Sequence, residues 1–326
     1  MSGALAITWL QHRRTQELCA GLGIELLVLT TKLGGVPRYL VLGARTLIQL
    51  ARRRPRVVLV QNPSLILAAL ALAVRGLLGF RLIVDAHNEA VVPFINRQRW
   101  VARLSRWVVR RADLTIVSNR QLAERVSRHG GRPFALPDRI PSPPPAPLRT
   151  LDGAFNVVLI ATFAPDEPVA EVLEAVRDAH IAVYVTGNHR KLDPTVVARV
   201  PPNVRFTGFL EELDYWSLLR SADAIVDLTL MDDCLVCGSY EALALGKPML
   251  LSHNSASVEL FGNSAVFTDN TVADIRRALE RLQLEQVRLR AAAESKRSEL
   301  ADLWTASARS LGELIAGRRA STELLD

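Results

Sequence analysis

A short polar segment in the second half of the chain carries the residue types of a sugar-phosphate site. Gly238, Ser239 and Tyr240 follow a polar loop and are expected to open a helix. The unpaired backbone N–H groups at the start of a helix, together with the helix dipole, favour a phosphate group. Glu241 comes next and can accept hydrogen bonds from two neighbouring hydroxyls such as those of a ribose, although a first-turn acid also stabilises a helix without any ligand. The segment predicts a site for a nucleotide or a phosphorylated sugar.

Two cysteines, Cys234 and Cys237, lie directly before this segment in a Cys-x-x-Cys arrangement. A structural zinc site needs about four ligands. The rest of the sequence offers only the distant Cys19 and histidines without a partner at ligand spacing. A thioredoxin-like pair would be expected near the start of a first βαβ unit, whereas this pair lies late in the chain. We therefore interpret Cys234 and Cys237 as small loop residues and predict no metal site.

A histidine at the end of a buried, strand-like run is a candidate for proton transfer. The run ends at Ala86 and is followed by His87 and Asn88. An imidazole titrates near neutral pH, so His87 can relay a proton or hydrogen-bond a substrate. The alternative is a histidine that only caps the end of the strand.

A basic turn follows the first strand-like run. It contains His12, Arg13 and Arg14. Arginine is well suited to charge-assisted hydrogen bonds with phosphate or carboxylate groups, so these residues are candidates for binding an anionic acceptor or a donor phosphate. A basic first turn that is simply exposed to water is an equally good interpretation.

Residues 94–112 form a basic segment with six arginines and no acid. Trp100, Val101, Leu104, Trp107 and Val108 recur at helical spacing, which places them on one face, while arginines such as Arg99 and Arg103 lie mostly away from it. A basic amphipathic helix with tryptophans is typical of the headgroup layer of an anionic membrane. Alternatively, its apolar face packs on a sheet and leaves the arginines in water. We predict membrane contact through Arg99, Trp100, Arg103 and Trp107.

The charge of the chain is unevenly distributed. Residues 1–150 contain 23 Lys and Arg against 7 Asp and Glu, whereas residues 151–326 contain 17 against 26, so a formal net charge of +7 hides two halves of opposite sign. A basic half of this kind indicates an anionic partner such as phospholipid, a phosphorylated substrate or nucleic acid. The sequence lacks RNP-like aromatic patterning and recognition-helix signals, which disfavours nucleic acid. Three cysteines do not make a disulfide framework, and no amino-terminal signal peptide is recognisable, so a cytoplasmic protein is expected.

Short apolar runs alternate with helical patterns through the whole chain, and a proline-rich stretch at 137–150 divides them into two sets. Runs of this kind, separated by ten to thirty residues, predict βαβ units and parallel sheets covered on both faces. The sequence thus predicts an α/β chain with two Rossmann-like domains, at 1–136 and 151–298. A final helical segment at 299–326 either returns to the first domain or covers the second. The predicted strands are 5–8, 25–30, 57–61, 82–86, 114–118 and 133–136, then 156–161, 181–186, 204–207, 224–228, 249–252 and 265–267.

No G-x-G-x-x-G dinucleotide motif follows a first strand; Gly21-Leu22-Gly23 follows a helix and is interpreted as a helix stop. A hydride-transfer enzyme is therefore disfavoured. The second half instead resembles the donor domain of GT-B glycosyltransferases, in particular the large retaining family 4-like group of bacterial polysaccharide and glycolipid synthases. The resemblance depends on four stretches of the sequence: VRFTGFL (204–210), SADAIVDLTL (221–230), DCLVCGSYEALALGKPML (233–250) and NSASVELFGNSAVF (254–267).

The spacing of acidic residues carries much of this resemblance. The family usually shows an acidic residue, seven further residues, Glu, a small-residue helix, Gly, x and Pro, which here are Asp233, Glu241 and ALALGKP. The chain departs from the family by having Asp where Glu is usual. It also has Cys-Leu-Val-Cys where Gly-Phe-Gly-Leu is common.

The resemblance implies roles for the site residues. Asp233 would contact hydroxyls of the donor sugar, the loop at Phe209 the nucleobase, and Thr162 and Arg190 the diphosphate. His87 would face the donor sugar, with Asn88 near the acceptor. Four of these residues have a plainer alternative role. Asp233 would be a solvated loop acid and Phe209 an apolar loop anchor, while the segment after Thr162 would only start a helix and Arg190 would be a solvated arginine.

The reaction implied is transfer of a sugar from a nucleotide-sugar donor, with retention of configuration and without a cofactor or a required metal. The acceptor would be a glycan or lipid-linked molecule at the cytoplasmic face of the membrane. Two alternatives stay open. One is a nucleotide-sugar epimerase or non-catalytic sugar-nucleotide binder of the same fold, and the other is a basic nucleic-acid-binding protein.

Overall fold

The computed structural model describes residues 3–62, 64–86, 91, 99–197 and 199–317. Tertiary contacts divide the chain into unit 1, residues 1–139 with 302–326, and unit 2, residues 140–301. Unit 1 therefore combines the predicted amino-terminal domain with most of the last predicted segment, and unit 2 begins inside the proline-rich stretch.

Unit 1 is built on a parallel sheet. Its described strands are β1 (Ala4–Thr8), β2 (Glu25–Val28), β3 (Val57–Asn62), β4 (Arg81–Ala86), β5 (Leu114–Val117) and β6 (Pro133–Ala135), and they pair in the order β2-β1-β3-β4-β5-β6. The helices between them are α1 (Arg13–Leu22), α2 (Gly35–Arg53), α3 (Leu65–Leu78), α4 (Arg99–Arg111) and α5 (Arg120–Arg128).

Unit 2 repeats this plan. Its strands are β7 (Asn156–Leu159), β8 (Ala182–Thr186), β9 (Val204–Gly208), β10 (Ala224–Asp227), β11 (Met249–Ser252) and β12 (Val266–Thr268), paired in parallel in the order β12-β11-β10-β7-β8-β9. Its helices are α6 (Val169–Ala175), α7 (Pro194–Val197), α8 (Glu212–Ser221), α9 (Cys237–Ala244), α10 (Ser255–Phe261) and α11 (Val272–Leu284), followed by α12 (Gln286–Ile315).

Both sheets are covered by helices on both faces. In β3, Val58 and Val60 are buried in one apolar cluster, while Val57 and Leu59 are buried in another. Successive side chains of a strand point to opposite faces, so this alternation places an apolar layer on each side of the sheet. Strands of this type read as continuous apolar runs. The two Rossmann-like domains predicted from the sequence are therefore confirmed, and each predicted strand run overlaps an observed strand, with ends that differ by up to two residues.

The last helix contributes to both cores. Leu289, Ala293 and Leu300 are buried in the clusters of unit 2. Trp304 and Leu311 are buried in a unit 1 cluster with Leu18, Cys19 and Leu22 of α1. Leu303, next to Trp304 in the chain, is 41% exposed and lies outside that buried stripe.

Two glycines explain how α1 meets Trp304. A Cβ atom added to Gly21 would lie 2.1 Å from Cη2 of Trp304, so only glycine fits this position. Gly23 follows the helix with φ of 61°, a left-handed conformation that is easily adopted by glycine, and its N–H donates to Ala20 O. The structure confirms Gly23 as a helix stop and shows that Gly21 serves packing instead.

The proline-rich stretch has no regular secondary structure. At its beginning, Asp138 and Arg139 are held on unit 1 by Arg14 and Glu17. Further along, Ala146 is buried in a unit 2 cluster, and the carbonyl of Pro147 accepts a hydrogen bond from Ser217. Each end is fixed to its own unit.

Candidate functional site

The candidate site of unit 2 lies where the strand order reverses. Strands β7 and β10 are neighbours, and the chain leaves them towards opposite sides of the sheet. In open α/β sheets, ligands bind at the carboxyl ends of the strands at such a point. Here the loops after the two strands are joined, because the Thr229 hydroxyl donates to Asp166 Oδ2 at 2.8 Å and the Leu230 N–H donates to the carbonyl of Asp166.

A carboxylate occupies the loop after β7. The backbone N–H groups of Thr162 and Phe163 donate to Glu167 Oε2 at 2.9 and 2.7 Å, and the Thr162 hydroxyl donates to Glu167 Oε1 at 2.6 Å. Phe163 adopts a left-handed conformation with φ of 57°. The resemblance places the donor diphosphate on Thr162, yet its hydroxyl and its amide are engaged by the chain's own acid. A ligand phosphate would have to displace Glu167 to use these donors.

A second carboxylate caps helix α9. The N–H of Gly238 donates to Asp227 Oδ2 at 2.8 Å, and Asp227 is buried at the end of β10. A Cβ atom on Gly238 would lie 2.5 Å from that oxygen and 2.6 Å from Cδ1 of Ile160, so the position requires glycine. The amide that we predicted to bind phosphate thus already has an acceptor within the protein.

The environment of Asp227 opposes its ionisation. Burial raises the pKa of its carboxyl group well above the ordinary value of 3.8, and the carboxylates of Glu241, Glu167 and Asp166 raise it further, while the hydrogen bond from Gly238 acts in the opposite direction. Four acidic side chains therefore influence one another at this switch point.

Ser239 and Tyr240 do not face a ligand. Ser239 is fully buried, and its hydroxyl donates to the carbonyl of Val236 at 2.6 Å. Tyr240 is 3% exposed and packs edge to face on Phe261, with ring centroids 5.8 Å apart. The helical repeat turns both side chains into the core beneath α9. The sequence prediction concerned the backbone N–H groups at the start of the helix, and for Ser239 and Tyr240 it stays a prediction.

Glu241 is half-buried and keeps its carboxylate near the helix start. The sequence predicts a helix that opens at Gly238 and has Glu241 in its first turn. Helix α9 begins one residue earlier, at Cys237, so Glu241 lies just after the first turn. The hydroxyl of Tyr215 in α8 donates to Glu241 Oε2 at 2.5 Å. Burial and the adjacent Glu241 raise the pKa of Tyr215, so this phenol stays protonated and orients the carboxylate.

The loop before α9 is fixed by the start of α10. Asp233 is 7% exposed with φ of 55°, and its Oδ1 accepts a hydrogen bond from the Ser255 hydroxyl at 2.9 Å. The side-chain amide of Asn254 donates to the carbonyl of Cys234 at 3.1 Å. Asp233 is thereby held within the structure and is not the solvated loop acid of the alternative interpretation.

The cysteine pair is not joined by a disulfide. Cys234 is half-buried and Cys237 is exposed. Over the residues that the structure describes, no group of three or more His, Cys, Asp or Glu side chains is arranged to hold a metal ion.

The remaining predicted donor residues lie at the edge formed by β7, β8 and β9. Phe209 follows β9 and is 84% exposed. Arg190 is exposed, whereas its neighbour Lys191 donates from Nζ to the carbonyl of Thr162 at 2.7 Å. Lys191 is thus the basic residue that reaches the Thr162 loop.

Arg14 in unit 1 has a structural role. Its guanidinium is 6% exposed, lies 3.1 Å from Asp85 Oδ1, pairs with Asp138 and donates to the carbonyl of Leu136. These partners use its donors inside the protein, so the prediction that it binds an anionic ligand is wrong. Arg13 is exposed on the outer side of the same turn.

His12 precedes α1 and is half-buried. Burial lowers its pKa, while Asp138 and Asp85 act in the opposite direction. His87 and Asn88, the predicted catalytic histidine and its neighbour, lie outside the described residues, as does the side chain of Arg99.

Helix α4 buries only part of the apolar face expected from the sequence. Ser105, Val108 and Val109 are buried, whereas Trp100 is 56% and Trp107 is 42% exposed. The two tryptophans therefore lie on the outer surface of the helix, while Val108 of the same predicted face packs in the core of unit 1. Packing on the sheet accounts for part of the face, and membrane contact through the tryptophans stays a prediction.

Sequence reasoning missed three residues of the unit 2 site: Glu167, Asp227 and Tyr215. Asp227 ends a strand at the predicted switch point, and this position could have drawn attention to it. Glu167 and Tyr215 carry no comparable signal, because their partners lie in other elements.

Comparison with known proteins identifies the family and the fold of the chain. Residues 6–140 match the model of a glycosyl transferase 4-like domain, and residues 167–315 match a glycosyl transferase-like model. The chain belongs to the family 4-like glycosyltransferases of GT-B fold. The first matched segment of this glycosyltransferase spans the sheet of unit 1, and the second begins after β7 of unit 2 and extends into the part of α12 that belongs to unit 1. No curated protein sequence matches it.

Solved structures share the fold of this glycosyltransferase at low sequence identity. Sucrose-phosphate synthase from Thermosynechococcus elongatus has a TM-score of 0.78 at 14% identity, covering 96% of this chain and 98% of that protein. Anabaena HepE in complex with UDP and glucose has a TM-score of 0.73 at 12% identity, with coverages of 96% and 91%. A candidate UDP-N-acetylglucosamine 2-epimerase from Listeria monocytogenes has a TM-score of 0.62 at 12% identity and full coverage of both, 100% each. The fold thus occurs in proteins of different named activities.

None of the helices in the described ranges combines the length and the apolar character that crossing a membrane requires.

Proposed function

We propose that the chain transfers a sugar from a nucleotide-sugar donor bound by unit 2, with retention of configuration and without a metal ion. The observation that carries this proposal is the carboxylate of Glu241, held by Tyr215 at 2.5 Å beside the amino end of α9 at the switch point of the sheet. A carboxylate in this position suits the two hydroxyls of a nucleotide ribose. UDP is the first nucleotide to test, since related folds have been solved with UDP and UDP-glucose.

The acceptor in this proposal is a lipid-linked or envelope glycan that is bound by unit 1. Leu33, just before α2, and Val36 and Leu40 in its first turns are 49%, 70% and 68% exposed. They follow β2 at the carboxyl edge of the sheet, where substrates of such folds bind. Exposed apolar side chains of this kind suit the hydrocarbon of a lipid. With Trp100 and Trp107 exposed among arginines, they support peripheral attachment to the inner face of the cell membrane.

A second candidate is a sugar-nucleotide binder without transferase activity. It is favoured by Glu167 and Asp227, whose carboxylates accept the hydrogen bonds of Thr162, Phe163 and Gly238. In a transferase, such amides stabilise the charge that develops on the leaving diphosphate. If the acids are not displaced, a donor can bind through Glu241 and still fail to react.

Purified protein tests the proposal in two steps. Isothermal titration with UDP-glucose and other nucleotide sugars measures binding, and release of labelled sugar to water or to a lipid extract measures turnover. Glu241→Ala and Glu241→Gln are expected to weaken donor binding at least tenfold at unchanged thermal stability, because the ribose hydroxyls lose a charged acceptor. Exposed Glu171 in α6 provides the control, since Glu171→Ala removes the same charge away from the site. Unchanged donor affinity in both Glu241 variants would refute the assignment, and donor binding without turnover would favour the second candidate.

A further inference from the structure

Unit 1 contains a pocket that the proposed reaction does not use. It has a volume of about 620 Å³ and lies between the second half of α4 and the carboxyl end of α5. Five arginines contribute to its wall, together with Trp107, His129 and Gly130: Arg103, Arg106, Arg110, Arg111 and Arg128.

The pocket lies at the edge of the sheet opposite to the proposed substrate site. Helix α4 ends at Arg111, three residues before β5 starts, and α5 ends at Arg128 before β6. Both helices therefore deliver their carboxyl ends to the amino edge of the parallel sheet. Ligands of the sugar-transfer reaction are expected at the carboxyl edge. The pocket is thus separate from that chemistry.

The wall of the pocket is fixed by close packing. A Cβ atom on Gly131 would lie 2.7 Å from Cγ1 of Val109 and 2.8 Å from its carbonyl oxygen, so the turn after α5 is pressed against α4. Gly130, with φ of 76°, lets the chain reverse at this point. The Arg75 guanidinium donates to the carbonyl of Arg111 at 2.7 Å and holds the end of α4. The arginines therefore project from a rigid frame.

Within the described ranges, no carboxylate neutralises the charge of the pocket arginines. Among the residues that the structure describes, none of the five arginines forms an ion pair with a carboxylate. Burial lowers the pKa of His129, and the positive charges of Arg106, Arg128 and Arg125 lower it further. The histidine thus reports a positive potential at the wall of the pocket.

The favourable interaction of basic side chains with the carboxyl ends of helices explains only some of the five pocket arginines. Basic side chains in the last turn of a helix interact well with its dipole, which accounts for Arg110, Arg111 and Arg128. Arg103 and Arg106 lie one to two turns earlier in α4, where the dipole effect has faded. Their convergence on the same pocket needs another cause.

We propose that this pocket binds a phosphate group with more than one negative charge, such as a phosphomonoester or a diphosphate. Arginine presents planar pairs of N–H donors that match phosphate oxygens, and several arginines around one anion replace its hydration shell. The volume exceeds what a single phosphate fills, so the pocket can also hold atoms attached to the phosphate. Exposed Trp107 at the rim provides an apolar surface for such atoms. The phosphate is supplied either by the headgroup of an anionic lipid or by a soluble phosphate ester.

The proposal does not depend on sugar transfer, and its experiment uses the full chain without any nucleotide sugar. Isothermal titration with inorganic pyrophosphate measures the soluble source. Co-sedimentation with phosphatidylcholine vesicles, with and without phosphatidic acid, measures the lipid source. The pocket variant is Arg106→Gln with Arg110→Gln. The control is Arg52→Gln with Arg54→Gln, which removes the same charge from exposed positions near the end of α2.

We expect at least one probe to bind at least tenfold more weakly to the pocket variant, while the control stays within about twofold of the original chain. Loss of pyrophosphate binding identifies a soluble phosphate as sufficient. Loss of vesicle binding alone identifies the lipid headgroup. Equal weakening in both double variants would mean that only net charge matters and would overturn the proposal, as would binding to neither probe. Retention on single-stranded DNA that exceeds binding to both phosphate probes and depends on the pocket arginines would also overturn it, in favour of nucleic acid.

Discussion

The carboxylate of Glu167 accepts hydrogen bonds from the backbone of Phe163 at 2.7 Å and from the Thr162 hydroxyl at 2.6 Å, in the loop that follows β7. Two amides and a hydroxyl directed at one anion form the kind of site in which a phosphate is bound. The chain fills this site with its own acid. A donor phosphate and the Glu167 carboxylate are therefore expected to compete for these hydrogen-bond donors.

Replacing Glu167 by glutamine is expected to strengthen diphosphate binding. Glutamine keeps one acceptor oxygen for the loop but removes the negative charge that repels a donor. We expect about tenfold tighter binding of UDP-glucose or UDP, a difference of about 1.4 kcal/mol. Titration calorimetry at constant ionic strength measures it. Glu171→Gln, on the exposed side of α6, is the matched control and should leave affinity unchanged. Weaker binding in Glu167→Gln would show that Glu167 organises the loop for the donor.

Asp227 is expected to make stability fall with rising pH. Its folded-state pKa lies above the unfolded value, so between the two values the native chain binds more protons than the unfolded chain, and stability decreases as pH rises through this window. Asp227→Asn cannot titrate and keeps an acceptor for the Gly238 amide. The stability of this variant relative to the original chain should therefore increase with pH above 3.8 and level off above the folded pKa. Urea unfolding from about pH 4 to about pH 9 tests this.

Asp232, in the loop between β10 and α9, is the control for this series. Its side chain is exposed, so Asp232→Asn removes a carboxylate that is not buried. A parallel pH profile for Asp227→Asn and the original chain would contradict the assignment of a raised pKa to Asp227.

Arg14 and Arg13 are expected to behave differently when they are replaced. Arg14→Met leaves the fully buried Asp85 and the carboxylate of Asp138 without their cation, which should cost about 3–5 kcal/mol of stability. Arg13→Met should cost less than about 0.5 kcal/mol, since its side chain is exposed. Adding Asp85→Asn to Arg14→Met should recover part of the loss. A stable Arg14→Met chain with reduced ligand binding would restore the role that we withdrew.

Because Gly21 contacts Trp304, we expect Gly21→Ala to destabilise the protein, although a glycine-to-alanine change within a helix normally stabilises it. Alanine normally stabilises a helix by up to about 1 kcal/mol relative to glycine. At Gly21 the new methyl group would overlap with the indole, and we expect a loss of about 1–3 kcal/mol. Gly76→Ala in α3, with no atom within 4 Å of the added carbon, is the control and should be neutral or stabilising. In a Trp304→Ala background Gly21→Ala should no longer destabilise, which a double-mutant cycle measures by thermal unfolding.

The strands could be predicted because a strand that is buried on both faces appears in the sequence as an uninterrupted apolar run. Val57 to Val60 are apolar without interruption, as a strand between two helical layers requires. The proline-rich linker between the two domains could also be predicted, since proline disfavours both helix interiors and central strands.

The site could be predicted only where the chain itself sets the spacing. Glu241 follows from its position after a helix start, whereas Tyr215 reaches it from another helix. The acid at 167 was overlooked because a carboxylate that binds backbone amides looks the same in sequence as one that starts a helix. The role of Arg14 was misjudged for a similar reason: its partners Asp85 and Asp138 lie 71 and 124 positions away. Long-range pairs of this kind leave no periodic signal.

The burial of Trp304, Ala308 and Leu311 against α1 has a consequence for how the molecule is made. The apolar surface formed by Leu18, Cys19 and Leu22 leaves the ribosome before unit 2, and the residues that cover it leave after unit 2. During synthesis, unit 1 lacks this part of its core until all of unit 2 has been translated. Unit 2, in contrast, has its whole sequence between residues 140 and 301. Domains commonly fold from the amino terminus onwards as they emerge. In this protein the second unit to be translated is the first that can finish folding.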